Sequence, residues 1–111
     1  MKKKRLKKDA KDVTLAVPDR MDARVGSVCL SIAGHDEGST VVIVAGLDNN
    51  YVLVADGKTR KIISPKKKKM RHLNMISRLS DKDTEIIRAN MANDSCLRKM
   101  IASFHPEKLI R

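Results

Sequence analysis

Eight basic side chains and no acidic one fall between residues 58 and 72: Lys58, Arg60, Lys61, Lys66, Lys67, Lys68, Lys69 and Arg71. Closely spaced ammonium and guanidinium groups can neutralise a polyanion, displacing the counterions condensed on a phosphate backbone. The competing reading is a sheet edge kept from pairing with other chains by its lysines. A cationic run with no counter-charge repels itself unless an anion is present, which favours phosphate contact. The remaining charge is unevenly spread. Residues 1–20 are net +5, residues 21–57 net −4, residues 58–72 net +8 and residues 73–111 net +2, within a total of +11. A field of that sign and a pI near 10.0 select nucleic acid or an acidic membrane surface as partner.

Other reactive residue types do not assemble into a site. Cys29 and Cys96 lie far apart without CxxC spacing and read as the reduced thiols of a cytoplasmic protein. His35, His72 and His105 are scattered, so no metal site is expected. Asp36 and Glu37 are adjacent in a loop and need not share a site. There is no nucleophile elbow and no GxxxxGK[ST] phosphate loop. The expectation is no enzyme and no cofactor. Aromatic content is 2%, with one Tyr and one Phe, which argues against base stacking across an aromatic sheet. Tyr51 reads first as packing. The start MKKKRLKK leads into DAKDVTLAVPD and not into the apolar stretch of a secretory signal. No apolar run is long enough to cross a bilayer, and between Lys2 and Lys8 only Leu6 could anchor in one, so no membrane attachment is expected.

These residues need a scaffold, and 111 residues allow one domain with tails. Residues 1–23 read as a basic flexible tail, with Met21 as an alternative start. Residues 24–75 read as a small barrel and 76–111 as a helical segment. Alternation predicts a strand at 27–32, with Val28, Leu30 and Ile32 inside. Gly34 to Gly38 is a tight polar loop. The run 40–45 is apolar on both faces, so barrel interior and another element must cover it. A third strand is predicted over 51–55, a fourth at 60–63 after the Asp56-Gly57 turn, and a short fifth over 70–73. Val42, Val44, Val52 and Val54 complete the expected interior. Ser80 is a natural N-cap ahead of Asp81, Asp83 and Glu85. Asn93-Asp94-Ser95 marks a break and a fresh cap before Leu97, Met100, Ile101 and Phe104. These helices should cover the outer face of 41–44.

The stretch from Val25-Gly26-Ser27-Val28 through Gly34-His35-Asp36-Glu37-Gly38 to Val41-Val42-Ile43-Val44 resembles the KOW motif, in which a strand leads through a glycine-bounded loop into a second apolar strand. With residues 51–61 and Pro65 to Leu73 added, the chain is similar to bacterial KOW-domain RNA-binding proteins related to KOW-type large-subunit ribosomal proteins of archaea and eukaryotes. The likeness covers residues 24–73 well and 93–103 loosely. It implies a mainly β fold, an SH3-like antiparallel barrel with a C-terminal helical appendix. It also implies RNA contact, association with the ribosome and no enzyme activity. The chain departs from the pattern at His35-Asp36-Glu37, where a basic residue more usually sits beside the acid.

The expected partner is therefore RNA, above all ribosomal RNA, with neighbouring ribosomal proteins possible and the chain itself monomeric. The expected contacts are the eight basic residues together with the backbone at Gly34 and Gly38. The alternative is a protein–protein adaptor barrel of the translation or transcription machinery. An exposed apolar groove between barrel and helix, in place of a continuous basic face, would favour it.

Overall fold

A computed structural model describes residues 17–103. Five strands form one antiparallel sheet: β1 (Ser27–Ser31), β2 (Thr40–Gly46), β3 (Tyr51–Ala55), β4 (Lys66–Lys69) and β5 (Leu73–Arg78), in the order β4-β3-β2-β1-β5. The two outermost strands are consecutive in the chain, joined only by the 3-10 turn Met70–His72. So short a link brings the sheet's two edges together and curls it into a small barrel. Helices α1 (Asp81–Arg88) and α2 (Asp94–Ala102) follow. The fold is mainly β with a helical appendix, as the sequence leads one to expect.

Both helix starts follow their caps. The Ser80 hydroxyl accepts from the Asp83 amide at 3.2 Å, and the Asn93 side chain accepts from the Cys96 amide at 2.7 Å. Asp81, Asp83 and Asp94 sit in first turns, where the helix dipole favours negative charge. Leu97, Met100 and Ile87 then cover Val25, Val28, Val42, Val44 and Ala55 on the outside of the sheet. A second cluster, Cys29, Val41, Ile43, Val52, Val54 and Leu73, fills the barrel. β2 is thus buried on both faces, by the two layers its composition requires.

The period-two reading of β1 finds the alternation but assigns the faces wrongly. Cys29 and Ser31, 0% and 1% exposed, belong with the barrel interior, whereas Val28, Val42 and Val44 face the helices. A five-stranded barrel is narrow and takes the smaller side chains of β1. The helices cover only the Val28 end of the strand, so Leu30 is half-buried and Ile32 is 48% exposed. Val52 and Val54 do lie inside.

The predicted fourth strand at 60–63 is a loop. Asp56 Oδ1 accepts the amides of Lys58 and Arg60 at 2.8 and 2.9 Å, and Asp94 Oδ1 accepts that of Ile62 at 2.8 Å. Carboxylates take the amides a ladder would need. The real fourth strand is the lysine run itself. The fifth runs through Arg78, past the expected start of the helical segment at residue 76.

Within the stretch expected as tail, residues 1–16 lie outside the described part, as do Phe104 and the residues after it. Residues 19–24 are fastened to the barrel. Asp19 and Gly46 exchange both backbone hydrogen bonds at 2.8 Å. The Arg24 guanidinium reaches Asp22 at 2.8 Å and the Asp48 carbonyl at 2.7 Å. The bond from Arg24, stronger than the opposing effect of burial, holds the Asp22 carboxyl below its ordinary pKa. Gly26 permits a close approach between barrel and helix: a Cβ there would collide with the buried Thr84 of α1.

Candidate nucleic-acid interface

In an antiparallel pair, directly opposed residues share a face. β4 pairs with β3 as Tyr51 with Lys69, Val52 with Lys68, Leu53 with Lys67 and Val54 with Lys66. Lys66 and Lys68 therefore belong to the side of Val52 and Val54, which line the interior, and Lys67 and Lys69 to the outer side with Tyr51. The four lysines do not form one uniform edge.

Lys68 is 5% exposed. Its ammonium donates to Asp36 Oδ1 at 2.6 Å and to the Ala33 carbonyl at 2.8 Å, and the Ser31 hydroxyl donates to the same carboxylate oxygen at 3.1 Å. Lys66 Nζ stands 4.0 Å from the other Asp36 oxygen. Burial works to raise the Asp36 pKa, but the bonds from Lys68 and Ser31 outweigh it and hold it below the ordinary value. Two expectations change. The basic block does have a counter-charge, supplied by the Gly34–Gly38 loop. Lys68 is already paired, so it is not an open phosphate contact.

The loop's glycines differ in what surrounds them. Gly34 and Gly38 both have φ +91°, a conformation that disfavours any side chain. A Cβ at Gly34 would stand 3.2 Å from Lys68 Nζ, whereas one at Gly38 would meet nothing within 4 Å. Gly34 packs on the Asp36–Lys68 latch, and Gly38 faces open space while its amide donates to the Ser31 carbonyl at 2.8 Å.

On the outer side Lys67 and Arg71 are exposed and Lys69 is half-buried. Lys67 Nζ lies 4.5 Å from the Tyr51 ring centroid, a cation–π contact. Beside it Asn50, Tyr51, Lys69, Met70 and Arg71 line a cleft of about 530 Å³. Lys58 and Lys61 are exposed on the 56–65 loop, and Arg60 is half-buried with His35, Asp36 and Ser39 around a pocket of about 190 Å³. Arg98 of α2 joins Lys58 at a groove and donates to the Gly57 carbonyl at 2.7 Å. Sequence reasoning passed over Arg98 because helical spacing marks only the apolar face of α2. It passed over Asn50 because that residue reads as a turn former.

On the same outer side of the sheet, where Leu53 stands opposite Lys67, Val44, Leu53, Ile62, Ile63, Pro65 and Ile87 are among the residues lining a mostly apolar groove of about 370 Å³ between sheet and α1. Ile63 is 89% exposed. Among the described residues no three His, Cys, Asp or Glu gather as metal ligands, and no helix is long and apolar enough to cross a membrane.

No family model matches the chain. Two curated relatives share its sequence at low identity. Over 70 residues, 59% of this chain and 73% of the relative, it is 27% identical to the large ribosomal subunit protein eL14 of Staphylothermus marinus. Over 62 residues, 56% of this chain and 60% of the relative, it is 36% identical to the eL14 protein of Metallosphaera sedula. Both names denote ribosomal proteins and not enzymes. The chain thus has distant relatives among archaeal eL14 large-subunit proteins.

Proposed function

We propose that this protein binds RNA without catalysing a reaction, and that the RNA is ribosomal, bound on the large subunit in the cytoplasm. The observation that carries the reading is the surface of Lys67, Lys69 and Arg71 on β4 and the turn after it. These cations have no carboxylate within ion-pair distance among the described residues. Lys58 and Lys61 extend the contact, the uncovered Gly38 lets RNA come close to its loop, and Arg60 and Lys66 contribute from the margin. The eL14 relatives supply the ribosomal context. Binding of this kind rests on phosphate charge and on the shape that displays it. The barrel, whose last strand runs to Arg78, and the helices act as a single monomeric unit. The experiment is sedimentation of the tagged protein through sucrose gradients with ribosomal subunits. Comigration with the large subunit at low salt that is reduced at high salt is expected. Absence from all ribosomal fractions at low salt rejects the proposal.

A second reading has one observation of its own, the apolar groove under Ile63. An exposed branched side chain over such a groove suits contact with a protein neighbour in the same machinery. Ile63→Ser should then weaken comigration with subunits while leaving affinity for naked RNA unchanged. A variant that comigrates like the wild type removes this reading.

A further inference from the structure

We infer that the cleft of Asn50, Tyr51, Lys69, Met70 and Arg71 is a nucleotide subsite, which takes one unpaired base of single-stranded RNA against the Tyr51 ring. The inference rests on the RNA-binding reading and adds a base contact to one argued from backbone charge alone.

The cleft's volume, about 530 Å³, lies in the range of sites for small ligands. Its lining holds two cations, one aromatic ring, one amide and one thioether, and no carboxylate. That set matches a nucleotide: a flat base beside an anionic phosphate. Lys67 stands over the Tyr51 ring and is not among the residues that line the cleft. Lys69, directly opposite Tyr51 in register, and Arg71 beyond it are placed for the phosphates flanking a base on the ring. Met70 offers polarisable apolar surface to the base. The Asn50 side chain carries both a donor and acceptors for a base edge.

The walls are fixed before any ligand arrives. The Met70 amide donates to the Asn50 carbonyl at 2.8 Å, tying one wall to the other. Asp48 Oδ1 accepts the amides of Asn50 and Tyr51 at 2.8 and 2.9 Å, which sets the entry to β3. A base paired in an A-form helix cannot reach such a ring, so the ligand is a single-stranded segment or a flipped-out nucleotide.

The chain has one Tyr and no Trp, so its tyrosine emission reports on this cleft alone. The test titrates the full-length protein at low salt with an oligoadenylate octamer and with an abasic ribose-phosphate octamer of equal charge. Quenching by the oligoadenylate is expected, with affinity roughly tenfold or more above that of the abasic chain. Tyr51→Phe should keep the preference and Tyr51→Leu should lose it, thermal melts confirming that both are folded. Lys69→Gln and Arg71→Gln should weaken both chains alike. Equal wild-type affinity for the two octamers with unquenched tyrosine overturns the subsite and leaves charge-based RNA binding standing, and this comparison needs no variant. Failure of either octamer and of a duplex RNA to bind overturns the RNA reading and the subsite together.

Discussion

Four neighbouring lysines have different surroundings, and substitution should separate them. Lys67→Gln with Lys69→Gln removes two outward cations. If both neutralise phosphates, the slope of log affinity against log salt becomes shallower by about 1.4 to 1.8, with little change in stability. Lys68→Gln should behave oppositely. It leaves the slope unchanged but strands the Asp36 carboxylate, costing about 3 kcal/mol in urea denaturation, the lower end for a broken buried pair. The same pair sets a pH dependence. The folded Asp36 pKa lies below the ordinary 3.8, so its contribution is complete above that value and is lost as pH falls through the folded pKa. Asp36→Asn should flatten the acid limb of the stability profile there. Among the thiols, Cys29 is fully buried and burial pushes it up to about 11, whereas Cys96 is half-buried. A disulfide reagent at neutral pH should label Cys96 in the native protein and Cys29 only as the barrel opens.

At the scale of elements, close approach decides more than propensity. Gly26 lets α1 rest its Thr84 on the start of β1. Gly26→Ala imposes a side chain at φ +93° and a clash together, and should cost about 3 kcal/mol by urea denaturation with the far-UV spectrum retained. Helix starts and the strands β1 to β3 were legible from residue types, because caps and alternation are local. What escaped was decided by distant partners. Residues 60–63 look like a strand until Asp56 and Asp94 accept their amides. The lysine run does not look like one, since four adjacent like charges disfavour any compact arrangement until alternation divides them and Asp36 meets two. The faces of β1 were misread because sequence does not show that the barrel is narrow or that the helices stop short of Ile32. At the candidate site, the location of the cations was legible. The pairing of Lys68 and the cleft beside Tyr51 were not, because both depend on the register between β3 and β4.

For the molecule as a whole, charge segregates differently from what its tally along the chain implies. Residues 21–57 carry five carboxylates, yet four of them are engaged internally: Asp22 with Arg24, Asp36 with Lys68, and Asp48 and Asp56 with turn amides. Of the five, Glu37 and Asp48 are exposed, and Asp48 is held to its own turn. Two of the segment's five negative charges, those of Asp22 and Asp36, are thus neutralised by cations within the fold, and its net negative sign overstates the acidity of its surface. The closure of the sheet has a consequence in time. β1 pairs with β2 close in sequence, but also with β5, Ser27 standing opposite Arg78. During synthesis at about 5–20 residues per second, β1 waits roughly 3–10 s for the strand that completes it. Through that wait Cys29 and Ile43 line a trough open along one side, and in its last second or two the lysine strand has been made and can pair with β3. The β1–β5 amides should be the last to gain protection in pulse-labelled refolding. In the cell, the nascent chain would display its lysine strand for about 0.5–2 s before its interior is sealed.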